Sequence, residues 1–163
     1  MAASITIRLI LPADNSTLAS IVRTVMSEFN ADPLTTIIGD PTLNAMYENY
    51  QEPRAIYHIV ELNNQIVGGC GIKKLQGSDD SICELQRMFL LKEARGLGIG
   101  KKLLETCLID ARNFQYKKMY LETLSQMHTA ISLYRKFGFK TTPNALGKTG
   151  HSGCDLRMLL ELS

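Results

Sequence analysis

The sequence predicts an α/β sandwich built around one mixed, largely antiparallel sheet of about seven strands, flanked by about four helices. Three observations predict it. Apolar positions follow a period of two in some stretches and a period near four in others, and the two kinds of stretch succeed one another along the chain. Of 163 residues, 45% are apolar, enough to fill a sizeable core.

The opening ITIRLIL reads as a strand. From Asp14 to Phe29, the residues Leu18, Ile21, Val22, Val25 and Phe29 form one helical stripe, with Asp14 or Asn15 available to cap it. Pro33, Gly39, Pro41 and Pro53 interrupt residues 30 to 54, leaving room for one short helix around Thr42 to Tyr50. Three strand-like runs follow, AIYHIVEL, QIVGGCGIKKL and ICELQRMFLL. The turn signals Asn63-Asn64 and Gly77-Ser78-Asp79-Asp80 join them into an antiparallel meander. From Lys101 the period changes, and Leu104, Cys107, Leu108 and Ala111 share a helical face. KKMYLETL is a further strand, and Ala130, Leu133, Tyr134 and Phe137 form another helical stripe that Gly138 ends. Phe139 to Thr142 and Asp155 to Leu162 supply two last strands, linked by a Gly-rich stretch from Asn144 to Gly153.

With 18 basic against 16 acidic side chains and no lysine or arginine cluster, nothing favours nucleic acid or an anionic membrane as partner. No apolar run approaches the ~20 residues of a membrane span, and the start MAASITIRLILPADN lacks the parts of a leader, which predicts a cytoplasmic protein. Cys70, Cys83, Cys107 and Cys154 lie at wide spacings, unlike a disulfide framework or a zinc set, so reduced thiols and no metal are expected. Without a linker or repeat, residues 1–163 are read as one domain.

The most informative stretch is Arg95-Gly96-Leu97-Gly98-Ile99-Gly100-Lys101, which follows a strand and opens a helix. Glycines there let the backbone turn tightly and aim several N–H groups at one place, where the helix dipole adds positive potential. Arg95, Lys101 and Lys102 add mobile cations, so the loop suits a phosphate-type anion. A dinucleotide fingerprint fails, because reading G-x-G-x-x-G from Gly96 puts Lys101 at the third glycine. A nucleotide P-loop fails too, because Lys101 is followed by Lys102 rather than Ser or Thr. On these residues alone, a tight turn that binds nothing stays open.

Arg95, Gly98 and Gly100, standing as R-x-x-G-x-G between a hydrophobic strand and an amphipathic helix, resemble the acetyl-CoA signature of the GNAT superfamily of N-acetyltransferases. The segment from Ala130 to Phe139 is similar to that superfamily's A-x-x-L-Y-x-x-x-G-F ending. The resemblance is strong over residues 82 to 140 and implies a GNAT-like fold with acetyl-CoA as cosubstrate. It implies that amides of Gly96, Leu97, Gly98, Ile99, Gly100 and Lys101 hold the CoA pyrophosphate. It further implies that Met88, Phe89 and Leu90 pair with the pantetheine arm like an added strand, with a backbone N–H there polarising the thioester carbonyl. Lys92 stands where the family often has proline, and T-G-H-x-G-C at Thr149 to Cys154 is similar to a group of small bacterial members.

Acetyl transfer to an amine needs a neutral nucleophile, a route for its proton, stabilisation of the oxyanion and a proton for the departing thiolate. Tyr134 lies in one stripe with Ala130 and Phe137, so its ring faces inward, and the resemblance puts it at the family position of the proton donor, with a core tyrosine hydrogen-bonded to backbone as the alternative. Two carboxylates compete for the base: Glu84, which resembles the strand glutamate of histone-type members, and Glu122, which resembles the base of ribosomal-protein N-terminal acetylating members. Apolar neighbours can raise the pKa of either, and a solvated strand glutamate is the alternative for each. Glu84 is preferred, and Met127 stands where the N-terminal-acetylating pattern has asparagine. Strand alternation aims Cys83 away from Glu84, and His151 with Cys154 lacks the other ligands of a zinc site, which disfavours a covalent or metal route. Acceptor specificity falls to residues 30 to 54 and 144 to 153, with Tyr47, Tyr50 and His151 placed at the substrate wall.

The expectation is therefore an acyltransferase that passes acetyl from acetyl-CoA directly to a primary amine of a small metabolite. A protein lysine or N-terminus is the alternative acceptor, and a non-catalytic CoA-binding or sensing module the alternative role. A homodimer stays open.

Overall fold

A computed structural model describes residues 2–163, and its elements succeed one another as expected. They are β1 (Ile5–Leu9), α1 (Asn15–Glu28), α2 (Met46–Asn49), β2 (Ile56–Leu62), β3 (Gln65–Lys74), β4 (Ile82–Leu90), α3 (Ile99–Asn113), β5 (Lys118–Thr123), α4 (His128–Lys136), β6 (Lys140–Thr141) and β7 (Leu156–Glu161). One seven-stranded sheet runs β1-β2-β3-β4-β5-β7-β6. Only the β4–β5 pairing is parallel, so the sheet is mixed and largely antiparallel as predicted.

Local chemistry explains most boundaries. Asn63 and Asn64 take φ of 50° and 65°, the left-handed pair that a two-residue hairpin turn requires, and Leu62 faces Gln65 directly across it. The two faces of the sheet carry two cores. Leu103, Leu104, Cys107 and Ala111 of α3, all 0% exposed, pack with Tyr134 of α4 on one face. Leu18, Val22, Val25 and Met26 of α1 pack with Met46, Tyr57 and Phe89 on the other. Each fully buried leucine contributes about 1.5–3 kcal/mol. On β3, a Cβ at Gly71 would strike the Tyr57 ring, so this glycine lets an aromatic side chain lie flat against the strand.

Several details correct the sequence reading. Neither Asp14 nor Asn15 caps α1 through its side chain. The Asp14 carboxylate instead accepts from the Leu11 amide at 2.7 Å and the Arg8 guanidinium at 2.9 Å, closing a 3-10 turn at Pro12–Asp14. Asn15 Oδ1 accepts from the Tyr47 amide at 2.8 Å, which draws α2 against α1. The helix expected from Lys101 begins at Ile99, and the penultimate strand shrinks to Lys140–Thr141.

Two irregularities open the sheet. Strands β4 and β5 pair only from Ile82↔Lys118 to Glu84↔Tyr120 and then part. On the other edge of β4, Gly69 faces Phe89 while Gly71 faces Gln86, so β4 carries one extra residue there, a β-bulge. Arg87 sits in it with φ +54°, a left-handed backbone that costs a non-glycine residue about 1–2 kcal/mol.

Candidate functional site

The glycine loop forms the mouth of α3. Gly96 and Gly98 take φ of +75° and +77°, and a Cβ at either would meet nothing within 4 Å, so backbone shape rather than crowding demands glycine. The first amide to find a helical acceptor is that of Lys102, which donates to Gly98 O at 3.2 Å. Among the described residues, no amide from Gly96 to Lys101 donates to a protein acceptor, leaving a row of N–H groups at the positive end of a 15-residue helix. Such a nest fits a diphosphate. The Leu97 side chain stands 46% exposed while Ile99 is buried beneath the loop.

Arg95 is not the mobile cation the sequence implied. Its Nε and Nη2 donate to Leu90 O at 3.0 and 2.8 Å, and its Nη1 and Nη2 donate to Glu28 at 2.8 and 3.1 Å. The fork therefore staples the loop to the end of β4 and to α1, leaving Lys101 and Lys102 as the exposed cations. A groove of about 610 Å³ runs from Gly96, Gly98 and Gly100 along Met88, Phe89 and Leu90 to α4.

A second cavity of about 230 Å³ adjoins that groove where Met88, Phe89 and Met127 line both. Its wall includes Glu84, Gln86, Arg87, Tyr134, Asp40 and His151. Glu84, 6% exposed, has its carboxyl pushed up to about 7, first by burial and then by the charge of Glu122, against the opposing effects of Gln86, Arg87 and Lys73. Glu84 Oε1 accepts from Gln86 Nε2 at 2.6 Å, and Gln86 Oε1 accepts from the Tyr50 hydroxyl at 2.7 Å. A chain of three side chains, with Glu84 and Tyr50 buried and Gln86 half-buried between them, thus fixes the orientation of the carboxylate.

Tyr134 is buried, and among the described residues its hydroxyl finds only the Met88 sulfur, at 3.8 Å. Burial holds that phenol protonated well above its ordinary value. A satisfied core tyrosine would bond a carbonyl, whereas this hydroxyl, among the described residues, has no oxygen acceptor, and its residue lines the inner cavity.

Glu122 also lines the cavity, with different partners. Its Oε1 accepts from the Thr149 hydroxyl, which ties β5 to the 144–153 loop, and its Oε2 accepts from the Tyr120 hydroxyl of the same strand at 2.6 Å, which in turn accepts from the Leu146 amide at 3.3 Å. That loop is a strap. The Gly153 amide donates to Thr35 O at 2.9 Å, and His151 Nε2 lies 3.2 Å from Asp40 Oδ2, joining it to the 30–54 segment across the cavity. Burial opposes ionisation of Asp40, but hydrogen bonds from Thr42 and His151 and the charge of Arg87 hold it below the usual carboxylate range.

Tyr47 and Tyr50, expected at the substrate wall, do not line the cavity. Both belong to the α1-side core, and Tyr50 stands behind Gln86 as its hydrogen-bond donor. His151 does line it. Cys83 faces α3, away from Glu84, as strand alternation requires, while Cys154 lines the cavity with its thiol pushed up to about 11, chiefly by burial. Sequence reading missed Gln86, Arg87 and Asp40. A signal existed for two of them: consecutive polar residues at Gln86-Arg87 break the alternation of ICELQRMFLL, as a bulge would.

Known proteins similar in sequence and in fold point to one family. The model of the acetyltransferase (GNAT) family matches residues 23–139. An uncharacterized N-acetyltransferase of Escherichia coli K12, YjgM, is 42% identical over 151 residues, covering 91% of this chain and 90% of its own. An uncharacterized N-acetyltransferase of Schizosaccharomyces pombe, C1271.07c, is 30% identical over 132 residues, covering 81% and 80%. Among solved structures, a GNAT-family acetyltransferase of Staphylococcus aureus Mu50 superposes with TM-score 0.85 at 23% identity, over 98% of this chain and all of that one. The acetyltransferase yncA of Salmonella typhimurium, solved with its cofactor acetyl-CoA, superposes with TM-score 0.79 at 23% identity, over 98% and 95%.

Proposed function

This chain belongs to the GNAT family of acetyltransferases, and from that premise we propose that it passes the acetyl group of acetyl-CoA directly to a primary amine of a small metabolite. The loop residues fit the cosubstrate: unpaired amides from Gly96 to Lys101 meet the diphosphate, and the groove along Met88 to Leu90 takes the arm. Bound acetyl-CoA supplies a thioester electrophile at the junction with the inner cavity.

The chain's own residues supply the rest. Glu84, ionised in part at neutral pH, takes the proton of an incoming ammonium at its carboxylate oxygens and leaves a neutral nucleophile. Tyr134 holds a proton at its hydroxyl, beside Met88, where the departing sulfur needs one. Glu122 keeps the strap in place through Thr149. Cys154 stays a protonated thiol, which favours direct transfer over an acyl-cysteine route.

The observation that carries the reading is the small cavity with Glu84 and Tyr134 on one wall, spanned by the His151–Asp40 and Gly153–Thr35 contacts. A strap tied across it leaves room for a small acceptor rather than an extended polypeptide. CoA-thiol release measured with panels of small amines and of lysine or N-terminal peptides tests this. Turnover on small amines, reduced in Tyr134→Phe, is expected. Turnover confined to peptides would overturn the acceptor class, and CoA binding without turnover on any amine would overturn amine acetylation.

A further inference from the structure

Arg87 is a charged side chain of the inner cavity that the transfer chemistry above does not use. Regular alternation along β4 would put it on the α3 face with Leu85, away from Glu84 and Gln86. The β-bulge at Gln86–Arg87 and the left-handed backbone of Arg87 reverse this, so that Glu84, Gln86 and Arg87 all line one cavity. Bulges re-aim side chains in this way beside binding sites.

The guanidinium so placed is 7% exposed and incompletely paired. Its Nη1 meets only the Met46 sulfur at 3.0 Å. Its Nη2 donates to the Thr42 hydroxyl at 2.5 Å and approaches Asp40 Oδ2 at 3.3 Å. That same Asp40 oxygen lies 3.2 Å from His151, while the other accepts from the Thr42 amide and hydroxyl. Among the described residues, Arg87 Nε has no acceptor. A buried cation is normally matched by a carboxylate in good geometry, commonly a bidentate one. Here a single long contact to a shared oxygen does that work. The other two cations of the cavity differ: Glu52 pairs with Lys73 at 2.5 Å, and Lys148 is exposed on the strap rather than buried.

We infer that Arg87 anchors a carboxylate carried by the acceptor, so that the acceptor is an amino-acid-like zwitterion whose ammonium meets Glu84 and whose carboxylate meets the guanidinium. The inference rests on the amine-acetylation reading and adds to it the second half of the substrate. Opposite charges on one small wall, Glu84 and Arg87, match the two ends of such a molecule and select against amines that have only one.

Matched sets of acceptors test it. For alanine, leucine and phenylalanine, the amino acid is compared with its carboxamide, its decarboxylated amine and its aminophosphonic analogue. Each is measured by CoA-thiol release and by calorimetric binding to enzyme saturated with CoA. Wild type is expected to prefer the carboxylate over the matched amine by about 10- to 100-fold, the range of a hydrogen-bonded charge pair. That preference should fall toward unity in Arg87→Met and to an intermediate value in Arg87→Lys, with CoA titration verifying that each variant folds. No carboxylate preference in wild type, or one that survives Arg87→Met, overturns the anchor and leaves amine acetylation standing. A carboxylate preference in binding without turnover keeps the anchor and sinks acetylation of these amines. An aminophosphonate preferred over the carboxylate overturns the choice of oxyanion, and absence of both binding and turnover for every acceptor overturns both readings.

Discussion

Replacing Glu84 by Gln removes a carboxyl whose pKa has moved from an ordinary 4.5 to about 7 without changing its size. The shift has two consequences of known sign. Only the ionised form accepts a proton, so with a pKa near 7 about a tenth of the enzyme is competent at pH 6 and about nine-tenths at pH 8. Activity should rise with pH through 7 and then level. Folding responds in the opposite sense. The unfolded chain loses this proton near 4.5 and the folded chain near 7, so stability falls as pH rises through that window, by about 3 kcal/mol in all. In Glu84→Gln both effects should vanish together: kcat/KM drops about 100- to 10,000-fold and loses its acidic limb, while stability between pH 4.5 and 7 becomes flatter. CoA-thiol release from pH 5 to 9, paired with denaturant unfolding over the same range, reads both. An acidic limb that persists in Glu84→Gln but disappears in Glu122→Gln would refute the assignment of the base.

Three further outcomes are expected. Tyr134→Phe removes a hydroxyl bonded only to a thioether, so stability should change by less than about 1 kcal/mol while kcat falls at least about 100-fold; a large loss of stability with kcat unchanged would make it a core residue. Gly98→Glu forces a side chain onto φ +77° and sets a negative charge beside the unpaired amides, so calorimetry should show CoA affinity reduced about 100-fold or more, and undiminished affinity would remove the loop from the cofactor site. Arg95→Ala releases the loop from Leu90 O and Glu28, and the expected signature is a higher KM for acetyl-CoA together with lower stability, by about 1–3 kcal/mol; an unchanged KM would leave Arg95 a purely structural tie.

The sequence alone determined whatever depends on neighbours in the chain. Periodicity placed the strands and main helices because an amphipathic stripe is a local property. Asn63-Asn64 marked a hairpin because those residues tolerate the φ values a tight turn demands. The glycine loop was legible because a row of unpaired amides at a helix mouth is made by consecutive residues and needs no partner from elsewhere. Acetyl-CoA entered through the resemblance of that loop and of the segment around Tyr134 to the GNAT superfamily, since the loop by itself specifies only a phosphate-type anion.

Tertiary structure decided whatever depends on contacts distant along the chain. Arg95 looked free because Glu28, its partner, lies 67 residues away. Glu84 and Glu122 were alike in sequence; one became a buried carboxyl near 7 and the other the holder of a strap, because burial and hydroxyl donors come from different elements. Tyr50 moved from the expected substrate wall to a post behind Gln86. Arg87 entered the cavity only because β4 bulges against β3, reversing the side of the sheet that alternation would assign. Strand register and burial are properties of the assembled sheet, so which side chains line the inner cavity could not be read from neighbours in the chain.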